Sequence, residues 1–244
     1  GKNKLIYYLL NFYRWMVPPT LYKRQLERHL AWLSAYDAEE IMDRVNYYNK
    51  LSQIVSLGNE GLDIHGIRRF RNPKAYYFDT YEYRRYFDKG LKLNLLAGDI
   101  TYVRDFPSIQ KSRPISDHNA NGVLLNLDKK RHFVFVNDRI SFMDKKDMLI
   151  GRAAIRQPHR IRFMELYFDH PMCDLGQINT SGGNMKWLKP KISLLEHVKY
   201  KFVLSLEGYD VATNLKWIMS SNSLAVMPMP KYETWFMEGR LIPN

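Results

Sequence analysis

The chain has 244 residues, 45% of them hydrophobic, enough for one large domain or two small ones with real cores. Its single cysteine, Cys173, excludes a disulfide framework and a cysteine-rich zinc site, and fits a reducing, cytosolic compartment. A formal charge of +12 calls for an anionic partner, be it nucleic acid, a negatively charged membrane face or a phosphate-bearing substrate, and every apolar run is broken before the ~20 residues a bilayer span needs.

Residues 4–16 are apolar and aromatic with basic flanks, and Pro18-Pro19 ends them, which predicts a helix. It packs on the core in the plainer reading; in the sharper one Trp15 and the tyrosines make it an interfacial anchor. Residues 21–56 carry helical stripes, with Leu26, Leu30 and Leu33 in one and Ile41, Val45, Tyr48 and Leu51 in another; Asp37 with Glu40 marks a helix start. Gly58-Asn59-Glu60-Gly61 is a break. Residues 66–93 interleave Arg68, Arg69, Arg71, Arg84 and Arg85 with Tyr76, Tyr77, Tyr81, Tyr83 and Tyr86, which reads as a basic, aromatic surface.

Beyond residue 97 short β-like runs appear at Ile100–Val103, Gly122–Leu127, His132–Val136, Tyr200–Leu206 and Ser223–Met227. Helical stretches stand at Pro158–Phe168 and Val211–Ser221, and the alternation predicts a parallel α/β sheet. Ser181-Gly182-Gly183-Asn184 reads as a loop. The segment Tyr200–Pro228 reads as a βαβ unit, with Glu207-Gly208-Tyr209-Asp210 as the turn after its first strand and Asp210 as the cap of the helix. In such units the helix N-terminus offers N–H groups to a phosphate, and Gly208 lets the backbone come close to it. By spacing alone this is an ordinary βαβ turn, since no Gly-rich fingerprint is present.

Five motifs in order change that weighting: Tyr102-Val103-Arg104-Asp105-Phe106-Pro107, Lys111-Ser112-Arg113-Pro114-Ile115, Gly151-Arg152-Ala153-Ala154 with Gln157-Pro158-His159-Arg160, Leu204–Leu224, and Lys231-Tyr232-Glu233-Thr234-Trp235-Phe236. Together they resemble glycosyltransferase family 90, above all its bacterial branch that builds lipopolysaccharide cores; relatives include protein O-glucosyltransferases and fungal capsule enzymes. The resemblance covers roughly residues 95–242. It implies a GT-B-like α/β fold of two Rossmann-like domains facing a cleft, here behind a helical N-terminal region, with crossing helices that would fall beyond Asn244. It divides the chain into 1–125, the helical region and acceptor side, and 126–244, the nucleotide-sugar side.

The activity implied is metal-independent, inverting transfer of a hexose or pentose from a UDP-sugar to a lipopolysaccharide, lipooligosaccharide or other surface-glycan acceptor, with no cofactor. The sequence has no Asp-x-Asp pair, and His159, His170, Cys173 and Asp174 match no zinc spacing. Inverting transfer needs a base for the acceptor hydroxyl and cations for the departing diphosphate. The resemblance gives the base to Asp105, which by spacing alone is a partner for Arg104 or Arg113 or a turn former before Pro107. It gives the donor to Arg152, Arg156, Arg160, Gly208, Asp210, Ala212, Thr213, Lys216 and Ser223, and the acceptor to Tyr102, Arg104, Ser112 and Arg113. Ala153 and Asn214 depart from the family pattern, which has Gly and, in other branches, Arg there.

The partners expected are a nucleotide sugar, a glycan or glycolipid acceptor and an anionic membrane, at the cytoplasmic face of the inner membrane, and no nucleic acid. Two other readings stand beside this one: a basic nucleic-acid-binding protein, which the charge and aromatics permit but no binding motif supports, and a non-catalytic glycan-binding relative.

Overall fold

A computed structural model describes residues 4–64, 74–88 and 90–243. The chain forms two compact units, one of Lys2–Arg131 with Lys231–Asn244 and one of His132–Pro230. It is a mixed α/β protein with parallel sheets.

The first unit opens with α1 (Lys4–Met16), α2 (Pro19–Ala31), a 3-10 turn at Trp32–Ala35 and α3 (Ala38–Tyr48). The start of α3 is set as its sequence predicts: the Asp37 carboxylate accepts from the Glu39 N–H at 2.8 Å and the Glu40 N–H at 3.3 Å. Then come β1 (Leu62–Asp63), α4 (Lys74–Arg84), β2 (Lys92–Leu93), β3 (Leu95–Leu96), β4 (Ser108–Gln110), β5 (Ser112–Pro114), β6 (Gly122–Leu124) and α5 (Lys129–His132). Strands β3, β4 and β6 pair in parallel, in that order, and β1 pairs antiparallel with β2.

The Arg/Tyr band is a correction. In its described part Tyr76, Tyr77, Tyr81, Arg84 and Arg85 are buried, and Tyr76, Tyr77 and Phe78 sit in the core with Leu93, Leu95 and Leu127. Arg84 is held inside by a carbonyl and two aromatic rings, and Arg85 by tyrosine rings and the Tyr86 hydroxyl. Arg84 donates to the Ile64 carbonyl at 2.6 Å and lies over the Tyr77 and Tyr81 rings; Arg85 lies 3.7 Å from the Tyr22 ring centroid. Arg68, Arg69 and Arg71 lie outside the described residues.

The second unit carries β7 (Lys146–Ala153), α6 (Pro158–Tyr167), β8 (Cys173–Gln177), α7 (Leu194–His197), β9 (Tyr200–Leu204), α8 (Leu215–Ile218) and β10 (Leu224–Val226). The four strands form one parallel sheet in the order β10-β9-β7-β8. Alternating side chains feed two apolar layers, as a parallel sheet buried on both faces requires. Ile150 and Val203 meet Trp217 and Ile218 of α8 on one side; Leu175 and Leu204 meet Met164 of α6 and Trp187 on the other. Gly151 fits against the second layer, since a Cβ there would stand 3.0 Å from Leu175 and 3.1 Å from Leu204.

The βαβ reading of 200–228 holds for its two strands, which pair in parallel from Phe202–Leu224 to Leu204–Val226. Its helix is corrected from Val211–Ser221 to the four residues of α8, and the cap moves from Asp210 to Asn214, whose side chain is drawn away to β9 rather than onto the helix. Residues 100–103 and 132–136 form no strand, whereas β7 and β8, absent from the expectations, do. The last strand, β11 (Tyr232–Thr234), returns to the first unit and pairs antiparallel with β5.

Candidate functional site

In the second unit the loops after β7, β8 and β9 all leave the carboxyl edge of the parallel sheet, where ligands of such sheets bind. Arg160, on the first turn of α6, ties two of these loops together. Its guanidinium donates to the Ala154 carbonyl at 2.8 Å, the Leu206 carbonyl at 2.7 Å and the Glu207 carbonyl at 2.8 Å. Neighbouring His159 places its Nε2 2.9 Å from the same Glu207 carbonyl. Burial lowers the Arg160 pKa from its usual range. Among the described residues Arg160 forms no salt bridge, and backbone carbonyls hold its guanidinium.

Arg156, exposed, reaches the Ser181 hydroxyl at 3.4 Å across the β8 loop. That loop is held from below by two buried amides. Asn179 accepts from the Ile155 N–H at 2.6 Å and donates to the Ser181 carbonyl at 2.8 Å. Gln177 donates to the Asn179 carbonyl at 2.7 Å and accepts from the Asn184 N–H at 3.1 Å. Gly182 and Gly183 turn with φ of 77° and 71°, and a Cβ on Gly183 would fall on the Gln177 amide. Sequence reasoning missed Gln177 and Asn179; the signal available was two amides two residues apart at the end of a strand, just ahead of a Gly-Gly turn.

The remaining donor candidates scatter. Gly208 stands at this edge with room to spare, as a Cβ would meet Arg160 at 3.6 Å. Asp210, Ala212 and Lys216 are buried and Thr213 is half-buried. Arg152 is committed to Asp174 on β8, donating to its carboxylate at 2.8 Å and its carbonyl at 2.7 Å. Lys189 joins the same carboxylate at 2.8 Å, and these two cations hold the Asp174 pKa below the usual carboxylate range against the opposing effect of burial. Ser223 precedes β10 and donates to the carbonyl of Tyr200, the first residue of β9, at 2.7 Å. It therefore sits at the amino edge of the sheet, not with Gly208 and Arg160. A cleft of about 510 Å³ opens there, lined by Ser141, Phe142 and residues 221–224.

In the first unit Asp105 lies in the loop from β3 to β4, exposed, and among the described residues it makes no hydrogen bond or ion pair. Tyr102 is exposed beside it in sequence, and Arg104 stacks 5.3 Å from the Phe106 ring centroid. The loop is anchored at its start by Lys111, whose buried ammonium meets Asp99 at 2.8 Å, and by the Ser112 hydroxyl on the Ile100 carbonyl at 3.3 Å.

Arg113 is not a partner of Asp105. It is fully buried and pairs with Glu233 of β11 at 2.7 Å, while also donating to the Gly122 carbonyl at 2.8 Å and to the Tyr47 carbonyl. Tyr47 donates its phenol to the same carboxylate, which together with burial raises the phenol pKa well above the tyrosine range. A polar cleft of about 430 Å³ borders this pair, lined by Tyr47, Lys50, Asp117, Asn119 and Glu233 among others. Among the described residues no cluster of three or more His, Cys, Asp or Glu side chains is placed to hold a metal ion.

A parallel sheet covered on both faces, with Arg160 held by backbone carbonyls at its carboxyl edge, defines an α/β protein compatible with a Rossmann-like glycosyltransferase. No family model matches the chain. Over 242 residues, 98% of this chain and 76% of the relative, it is 40% identical to a protein of Dichelobacter nodosus named O-glucosyltransferase LpsA. At that identity and coverage the chain belongs to the glycosyltransferase family of that protein.

Proposed function

We propose that the chain is an inverting O-glucosyltransferase of family 90 with GT-B architecture, moving glucose from UDP-glucose to a hydroxyl of a lipopolysaccharide or lipooligosaccharide core. The observation that carries this reading is 40% identity to a named O-glucosyltransferase, sustained over 98% of the chain. The unit of residues 132–230 takes the nucleotide sugar and the other unit takes the acceptor.

In the reaction the acceptor oxygen forms a bond to the anomeric carbon as the bond from that carbon to the diphosphate breaks. Asp105, exposed and holding no cation of its own, takes the proton of the acceptor hydroxyl. Arg156 and Arg160, cations without a carboxylate among the described residues, stabilise the charge left on the diphosphate. Arg152 and Lys216 support this edge from inside rather than touching the donor, because one is ion-paired to Asp174 and the other is buried. Ser112 and Arg113 set the acceptor-side loop and strand in the same indirect way, which leaves Tyr102 and Arg104 as the acceptor contacts.

The test is a donor screen with UDP-glucose, UDP-galactose and UDP-xylose, reading UDP release with and without core oligosaccharide, in EDTA and in added magnesium. The expected result is release from UDP-glucose, accelerated by acceptor and indifferent to metal, with inverted anomeric configuration in the product. Release with none of the three sugars contradicts the proposal.

A further inference from the structure

The first helix of the chain is built inside out. At 100° per residue Leu9, Phe12, Tyr13 and Met16 of α1 project to one side, and Tyr7, Asn11 and Arg14 to the other. In a helix lying on a protein in water the apolar side goes inward. Here the polar side does: Asn11 is 4% exposed, the Tyr7 hydroxyl donates to the buried Asp79 carboxylate at 2.6 Å, and Arg14 stands 3.5 Å from Glu82. The apolar side faces out, with Leu9 58%, Tyr13 68% and Met16 65% exposed.

The exposed apolar character continues into the next elements at Leu21, Leu30, Trp32 and Tyr36. Large apolar side chains exposed along successive elements mark a site for a partner or a membrane.

Charge decides between these. Residues 1–36 hold six lysines and arginines against one acidic residue, Glu27, and the sign reverses only at Asp37, Glu39 and Glu40 at the start of α3. Arg24 and Arg28 of α2 are exposed, and Lys23 is exposed while paired with Asp88. A second copy of this surface would bring like charges together, whereas an anionic lipid face is complementary to it. Tryptophan and tyrosine beside aliphatic side chains and arginine is the composition that rests at headgroup depth. Among the described residues no helix is long and apolar enough to cross a membrane, and α1, with 13 residues, is about 20 Å long. It suits lying along a bilayer.

We infer that the outward face of α1, with the basic residues of α2, docks this protein on a negatively charged lipid surface. The inference is independent of the transfer reaction, since none of these residues is assigned to the donor or the acceptor.

The test is co-sedimentation of the whole chain with vesicles of phosphatidylcholine alone and of phosphatidylcholine mixed with phosphatidylglycerol, for the wild type and for the double variant Leu9→Glu, Met16→Glu. Both positions are exposed, so the variant keeps its fold, which circular dichroism and the melting temperature check. The expected result is binding to the mixed vesicles that weakens with salt, little binding to the neutral ones, and a loss of at least about ten-fold in the variant. Three results overturn the inference: a wild type that ignores anionic vesicles, a folded variant that binds them as well as the wild type does, and a wild-type dimer that the variant converts to a monomer, which would give this face to a second copy.

Discussion

The two units differ in how much of their interior is tyrosine and charge, although the unit of residues 132–230 also buries the Lys145–Asp138 pair. In the unit of residues 132–230 the sheet is packed on both sides by aliphatic and tryptophan side chains around Ile150, Val203, Leu175 and Ile218. In the other unit much of the interior is tyrosine and charge: Tyr76 and Tyr77, Arg84, the Arg113–Glu233 pair, Lys111 and Asp79. The first kind of interior can be read from short apolar runs in part, as at β9 and β10. The second depends on partners far apart in sequence, and a run of Arg and Tyr looks like surface until those partners are known.

The contrast makes unequal demands on mutation. Glu233→Ala should have the largest effect, about 3–5 kcal/mol, because it strands the fully buried Arg113 without its counter-charge. A urea titration checks this; a loss below about 1 kcal/mol would show that Arg113 finds another anion or water, and would break the comparison at its strongest point. In the aliphatic interior Leu175→Ala, at a residue of β8 with 0% exposure in one cluster with Met164 of α6 and Trp187, should cost about 2–5 kcal/mol by leaving a cavity, with no dependence on pH.

Asp79 sharpens the contrast through pH. Burial raises its pKa from 3.8 to about 6, against the opposing hydrogen bonds from Tyr7 and the Lys129 N–H. The folded protein therefore holds a proton that the unfolded chain has released. This stabilisation is complete below about pH 4 and is lost as pH rises through about 6, a total of up to about 3 kcal/mol. Unfolding free energies from pH 4 to 7.5 should show that decline, and Asp79→Asn should flatten it; an unchanged slope in the variant would assign the pH dependence elsewhere.

Smallest is Asn214→Ala. It removes hydrogen bonds to the Leu204 carbonyl at 2.9 Å and from the Ser205 hydroxyl at 3.1 Å, at a cost of about 1 kcal/mol in a thermal melt. The Asn214 amide both donates and accepts here. Arginine cannot accept, so Asn214→Arg should destabilise at least as much as the alanine.

Part of this architecture is legible in the sequence. Helices α1 and α6, strands β9 and β10 and the Asp37 cap follow from periodicity, proline placement and cap chemistry. Strand β7, a central strand of the larger sheet, is hidden because its apolar run is only Met148, Leu149 and Ile150, flanked by Lys146-Asp147 and Gly151-Arg152, where a buried parallel strand usually runs longer. The helix after Asp210 is overestimated because Asn214, in range to cap it, bonds back to β9 instead.

For the candidate site, motif order names segments but says nothing of their environments. Arg152, Arg156 and Arg160 look equivalent in sequence. Only the structure separates the one paired with Asp174, 22 residues on, from the one exposed and the one bonded to three carbonyls. Arg113 is likewise fixed by Glu233, 120 residues away.

The central claim is transfer from a nucleotide sugar with Asp105 as the base. Its most direct test is Asp105→Asn, measured for glucosyl transfer from UDP-glucose and, in parallel, for UDP binding by calorimetry. Because Asp105 is exposed and makes no structural bond among the described residues, the variant should fold and bind UDP as the wild type does, while kcat falls by about 10²–10⁴-fold. A folded, UDP-binding variant that turns over within about three-fold of the wild type would contradict the account.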